Sequence, residues 1–128
     1  MLIDSFFTYS IKSKTETGFV AELTLKTDSP VYQGHFPQMP VTPGVCQVQM
    51  LKEVLSEQLK ADYQLMKARD VKFLNLINPN ESNVFLLDVG IKPIDDSSIN
   101  VTALMHSDDT KCMKVRATYS LAKTHRDG

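Results

Sequence analysis

Along this chain apolar and polar residues alternate in several short runs, and one longer run repeats them at helical spacing instead. Phe19, Ala21, Leu23 and Leu25 alternate with polar or smaller neighbours, which predicts a half-buried strand over 19–26. A β-like run over 5–14 precedes it, and the intervening Thr15-Glu16-Thr17-Gly18 predicts a hairpin. Residues 28–40 carry Pro30, Pro37 and Pro40, too many for regular structure, and predict a loop.

A helix start follows. Thr42 is the expected cap, Pro43 suits the first helical position, and no breaker interrupts the run from Val45 to Leu59 or Lys60. At about 100° per residue, Val48, Leu51, Leu55 and Leu59 share one apolar face. Cys46, Met50 and Val54 form a second apolar strip, while Gln49, Glu53, Ser56 and Lys60 make a polar stripe. Four further strands are expected over 65–73, 83–91, 98–107 and 111–122. Turns at Asn78-Pro79-Asn80, Asp95-Asp96-Ser97 and Asp108-Asp109-Thr110 separate them. Ile99, Val101, Ala103 and Met105 mark the buried face of one, and Met113, Val115, Ala117, Tyr119 and Leu121 that of the next. The order is ββ-α-ββββ. A helix with two apolar strips among about six antiparallel strands is buried only if the sheet curls around it, an α+β arrangement.

With 128 residues the expectation is a single domain over 1–128. No apolar run approaches the ~20 residues of a membrane span. The start of the chain lacks a basic stretch followed by an apolar one, so a cytoplasmic protein is expected. A net charge of −1, with 14 scattered basic residues, gives no reason to expect a nucleic-acid partner. Cys46 and Cys112 read as buried free thiols, and His35, His106 and His125 contain no ligand pair, so no metal is expected.

Residues 31–50, VYQGHFPQMPVTPGVCQVQM, are where chemistry concentrates. Gly34 and Phe36-Pro37 flank His35 and fix an imidazole in a tight loop. Shortly after, Thr42-Pro43-Gly44 opens the helix, whose first amides lack intrahelical acceptors and carry the positive end of its dipole. Gly44 has no side chain, so a substrate carbonyl could come close to its amide. A base beside a carbonyl-polarising amide suits proton abstraction next to a carbonyl, because both act on the same developing enolate. Neutral imidazole, with an ordinary pKa of about 6.5, is a suitable base near pH 7. On spacing alone the alternative stays open: a proline-rich loop whose histidine only satisfies nearby backbone.

The string His35-Phe36-Pro37-Gln38-Met39-Pro40-Val41-Thr42-Pro43-Gly44-Val45 resembles the HFPxxPVxPGV signature of the hot-dog-fold 3-hydroxyacyl-acyl-carrier-protein dehydratases. Every fixed position matches. Val71-Lys72-Phe73 followed by Pro79 is similar to the family's next landmark, although the Pro-Gly-Asp turn reads Pro79-Asn80-Glu81 here. The resemblance implies a hot-dog fold, a curled antiparallel sheet of about six strands around one long central helix. It implies dehydration of 3-hydroxyacyl thioesters to trans-2-enoyl products, without a cofactor. The partner it implies is acyl carrier protein presenting its phosphopantetheine arm. In that scheme His35 removes the C2 proton, and Gly44, Val45 and Phe36 are the substrate-binding residues, the amides of Gly44 and Val45 holding the thioester oxygen. Dimers, or assemblies of dimers, are implied as well, each site combining the loop histidine of one subunit with a helix acid of the other.

At the position of that acid this chain has Gln49, which donates and accepts hydrogen bonds but releases no proton at neutral pH. Glu53, one turn further, reads as a solvated glutamate, Cys46 as core, and His106 and His125 as surface or satisfied residues. Three functions compete. The first is a dehydratase with His35 and an altered acid partner. The second is a non-catalytic carrier-protein-binding subunit paired with an active homologue. The last is another acyl-thioester activity on the same fold, for which the sequence supplies no nucleophile.

Overall fold

In the computed structural model of the chain, residues 1–33 and 41–122 are described. The elements are β1 (Phe7–Thr15), β2 (Gly18–Leu25), α1 (Pro30–Gln33), α2 (Gly44–Leu59), β3 (Tyr63–Phe73), β4 (Val84–Pro93), β5 (Ser98–Ser107) and β6 (Thr110–Leu121). All six strands join one antiparallel sheet in the order β1-β2-β4-β5-β6-β3. The predicted hairpin forms, with Thr15 opposite Gly18. Alternation places Phe19, Ala21, Leu23 and Leu25 in the core, as it does Ile99, Val101, Ala103 and Met105. Leu121 departs from its expected face and is exposed, because it lies beyond Ser120, the last β6 residue paired with β5.

Both edge strands reach α2. On one side Gln58 Nε2 donates to the Tyr9 hydroxyl at 3.0 Å, and Lys14 Nζ donates to Gln58 Oε1 at 3.2 Å. On the other side the Phe73 ring lies over Gly44, and the Tyr63 amide donates to Ser56 Oγ at 3.0 Å. Strands at opposite ends of one sheet touch the same helix only if the sheet curls, which is the arrangement the two apolar strips required. Met50, Leu51, Val54 and Leu55 fill the space between and are fully buried. Each such side chain contributes roughly 1.5–3 kcal/mol.

The expected long central helix is not confirmed. α2 has 16 residues, about 24 Å at 1.5 Å per residue. It stops where Lys60 turns left-handed, at φ 57°, and the amides of Lys60 and Ala61 close on the carbonyls of Glu57 and Ser56. The proline-rich segment expected to be irregular holds the four-residue α1. The capping expectation also fails: Pro43 is the N-cap residue and no side chain caps the helix. The Thr42 hydroxyl is turned inward, 2.9 Å from the Tyr32 hydroxyl. That phenol is buried with its ring stacked on Phe6 and needs a polar partner there.

Tyr119 lies at the bottom of the core, and its hydroxyl has no partner among the described residues. Burial pushes its pKa up to about 12. Ionisation is then easier in the unfolded chain, so stability present below about pH 10 is lost as pH rises toward the folded value. Tyr119→Phe removes an unpaired donor and is expected to raise stability by about 1 kcal/mol at pH 8. Its advantage should grow above about pH 10; urea titrations of both proteins at the two pH values measure this.

Candidate active site

The start of α2 is the centre of the expected chemistry. The amides of Gly44 and Val45 find no acceptor among the described residues, while those of Cys46 and Gln47 turn back to the Pro43 carbonyl at 3.0 and 3.2 Å. Among the described residues, two donors at the positive end of the helix dipole are thus without an acceptor. Gly44 serves a purpose that the sequence did not reveal. A side-chain carbon there would lie 2.8 Å from Phe73 Cζ, so glycine lets the β3 aromatic close over the helix start. Beside it a cleft of about 340 Å³ runs from Gly44 and Gln47 to Phe73, Leu74, Asn75 and Leu76. Val45 projects outward and is 79% exposed.

Gln49 faces elsewhere. It is half-buried and lines a separate cavity of about 420 Å³ with Met1, Lys52, Glu53 and Ser56. Its Nε2 donates to Glu53 Oε2 at 2.9 Å. Glu53 is not the solvated residue expected: it is 6% exposed, with every oxygen engaged. The Leu2 amide donates to both carboxylate oxygens at 2.8 Å, and the Ile3 amide to Oε1 at 2.9 Å. The helix side chain thus clamps the start of the chain, because a carboxylate taken out of water must be surrounded by donors. The i,i+4 spacing from Gln49 delivers one of them.

His35 and Phe36 lie outside the described residues, as does His125. Gly44 and Val45 share the helix start, and the single chain does not bring Gln49 into their cleft. His106 is half-buried near the end of β5, opposite Leu86. Burial pushes the Cys46 thiol up, which disfavours the nucleophilic thiolate and agrees with packing as its role. A larger cleft of about 560 Å³ crosses β3, β4, β5 and β6, bordered by Asp70, Lys72, Asp88, Lys114 and Arg116; it contains none of the expected site residues. Among the described residues, no group of His, Cys, Asp and Glu could hold a metal.

The family model described as ApeI-like, ApeI dehydratase, matches residues 11–114, most of the chain. The chain belongs to the ApeI-like dehydratase family. It is 30% identical over 73 residues to the bifunctional enzyme LpxC/FabZ of Bacteroides thetaiotaomicron, a match covering 51% of this chain and 16% of that enzyme. Among solved structures it resembles the dehydratase heterocomplex ApeI:P of Xenorhabdus doucetiae. The TM-score is 0.70 at 17% identity, over 92% of this chain and 99% of that one. A thioesterase of Pseudomonas aeruginosa superposes with a TM-score of 0.59 at 11% identity, covering 88% of this chain and 80% of the other. At these identities the structural likenesses establish the hot-dog type of fold and nothing finer.

Within this ApeI-like chain, two residues escaped sequence reasoning. Gln47 lies on the core-facing stripe with Leu51 and Val54, and a polar residue on an apolar stripe was the available signal. Glu53 gave none, since the donors that bury it come from residues 2 and 3. Glu53→Ala is expected to cost roughly 2–4 kcal/mol, because it leaves backbone amides without their charged acceptor. Amide exchange at Leu2 and Ile3 should accelerate with it. A change below about 0.5 kcal/mol, within the range of ordinary surface substitutions, would show that the clamp carries no weight.

Proposed function

We propose that this chain dehydrates 3-hydroxyacyl thioesters carried on acyl carrier protein, giving trans-2-enoyl products. The observation that carries the reading is the pair of amides at Gly44 and Val45 that have no acceptor among the described residues, directly after the His35 motif. His35 takes the C2 proton, and those amides stabilise the enolate oxygen. The electron pair then forms the C2–C3 double bond and expels the 3-hydroxyl, which leaves as water on protonation through a bound water or by an acid of a second polypeptide. The resemblance adds Phe36 as a further substrate-binding residue. In the single chain Gln49 opens into a different cavity, so only a Gln49 from a second subunit would hold the hydroxyl or its water there, and it cannot supply the proton.

The geometry around Gln49 favours a second reading, in which the acid comes from a homologous subunit and this chain acts as its partner. Its own Glu53 is occupied by backbone amides, and Gln49 is occupied by Glu53. Assembly has support of its own. β3 is an edge strand exposed on both faces over most of its length, and Met66 and Leu76 are 60% and 80% exposed. Exposed Leu65, Met66 and Phe73 on this strand edge are interspersed with Lys67, Arg69, Asp70 and Lys72, and such an unpaired edge is a place where another subunit could add. Sedimentation velocity at micromolar concentration is expected to give a dimer or larger species, and a stable monomer would count against a two-subunit site.

The activity test is release of enoyl product from a short 3-hydroxyacyl carrier-protein thioester, alone and mixed with a neighbouring homologue. Turnover by this chain alone, abolished in His35→Ala, supports the first reading, and turnover only in the mixture supports the second. If a folded His35→Ala keeps most of the rate, the mechanism is wrong.

Gln49→Glu would set two carboxylates against each other and remove a donor from Glu53. Like charges so close cannot both ionise freely, so one carboxyl should stay protonated to higher pH. The variant is expected to lose about 1–3 kcal/mol at pH 8 and to recover as pH falls below that raised value. Pairing it with Glu53→Gln returns a lone acid to the family position and relieves the repulsion. If Gln49 faces the reacting hydroxyl in the assembled site, the double variant should gain up to about 10²–10⁴-fold in dehydration rate.

A further inference from the structure

The cleft beside the helix start contains a feature that the dehydration scheme does not use. Gln47 is 3% exposed, and its Oε1 has no donor among the described residues. Its Nε2 donates to the Thr42 carbonyl, 3.4 Å away, and holds the carboxamide against the cleft that Gln47 lines. A buried carbonyl oxygen without a hydrogen bond costs about 1–3 kcal/mol, so this one is built to receive a donor. Water or a ligand N–H or O–H could supply it.

We propose that Gln47 is a positioning residue for the carrier arm, its Oε1 accepting the amide N–H nearest the thioester sulfur. This rests on the reading that the chain binds acyl thioesters. The thioester oxygen is assigned to the amides of Gly44 and Val45, and Gln47 lies one turn along from Gly44. Residues so spaced stand about 5–6 Å apart. In a pantetheine thioester that amide is separated from the carbonyl carbon by the sulfur and one ethylene link, a comparable span. The 3-hydroxyl extends in the opposite direction from the carbonyl. Apolar walls from Phe73, Leu74 and Leu76 suit the thioether and ethylene portion. The cleft thus combines the Gln47 acceptor with walls that are mostly apolar apart from Thr42 and Asn75, which selects an amide-bearing arm over a plain alkyl thioester.

Calorimetry with three probes tests this: 3-hydroxybutyryl-pantetheine, the S-propyl thioester of the same acid, which has no amide, and butyryl-pantetheine, which has no hydroxyl. Wild-type protein should bind the first about 5- to 10-fold more tightly than the S-propyl thioester, the worth of one hydrogen bond. Gln47→Met keeps the length and most of the volume but offers no strong acceptor. It should erase that preference while leaving affinity for the S-propyl thioester unchanged, which a merely structural role would not do. A folded Gln47→Met that keeps the preference overturns the assignment. So does equal binding of the two 3-hydroxy thioesters by wild type, a comparison that decides even if the variant fails to fold. A preference that follows the hydroxyl instead and disappears in Gln47→Met would give Gln47 to the 3-hydroxyl and overturn it as well. Product release from carrier-bound substrate, with and without the homologue, tests the underlying function separately. Amide selectivity without dehydration in either case would leave Gln47 as assigned and remove the catalytic reading.

Discussion

Everything in this molecule is arranged around a helix that must bury one broad face of itself beneath a single sheet. Met50, Leu51, Val54 and Leu55 on α2 are all buried and together span roughly 140° of the helix at 100° per residue, a face that a curled layer covers more fully than a flat one. The sheet answers by curling until β1 and β3, its two edges, both touch α2. Closing Phe73 over the helix start requires glycine at 44, and the same closure forms a wall of the cleft beside Gln47. Packing and candidate chemistry therefore share one contact, and a bulkier residue at 44 would disturb both.

The curl leaves one flank of the helix uncovered within the chain. Val45, Gln49, Lys52 and Ser56 follow one another at helical spacing along it, and none is fully buried. The outward stretch of β3 adds Leu65 and Met66. Apolar surface presented beside an unpaired strand edge is unstable against association, so the features that make the monomer look unfinished are those that a second subunit would complete.

Much of this was legible in the chain. Strict alternation marked β2, β5 and β6, and the β5 boundaries coincide with those read from the pattern, because a strand with one buried face has little freedom of register. The helix was legible through its proline-glycine start and two apolar strips. Three things were not. Thr42 looked like a cap because its type suits capping, and only the buried Tyr32 phenol explains why it turns inward. Pro43 therefore became the N-cap in place of the first helical residue. Glu53 looked solvated because helical periodicity says nothing about backbone arriving from fifty residues away. The motif located His35 and Gly44 in sequence, but periodicity alone could not tell that Gln49 and Gly44 open into different cavities of the same chain.

That separation changes what the missing acid means. Replacing a carboxylate by a carboxamide at Gln49 looks, in isolation, like the removal of one proton donor. In the fold it is half of a pair: the carboxamide donates to Glu53, and Glu53 gathers the amides of Leu2 and Ile3. An acid at position 49 would have to share its neighbourhood with that buried charge, at a cost in stability. The helix carboxylate of this chain thus lies at Glu53, where it holds the start of the chain, and position 49 carries a side chain that donates to it. In the proposed dehydration, the proton for the departing hydroxyl would come from a bound water or from a different polypeptide, and the open flank of α2 leaves room for either.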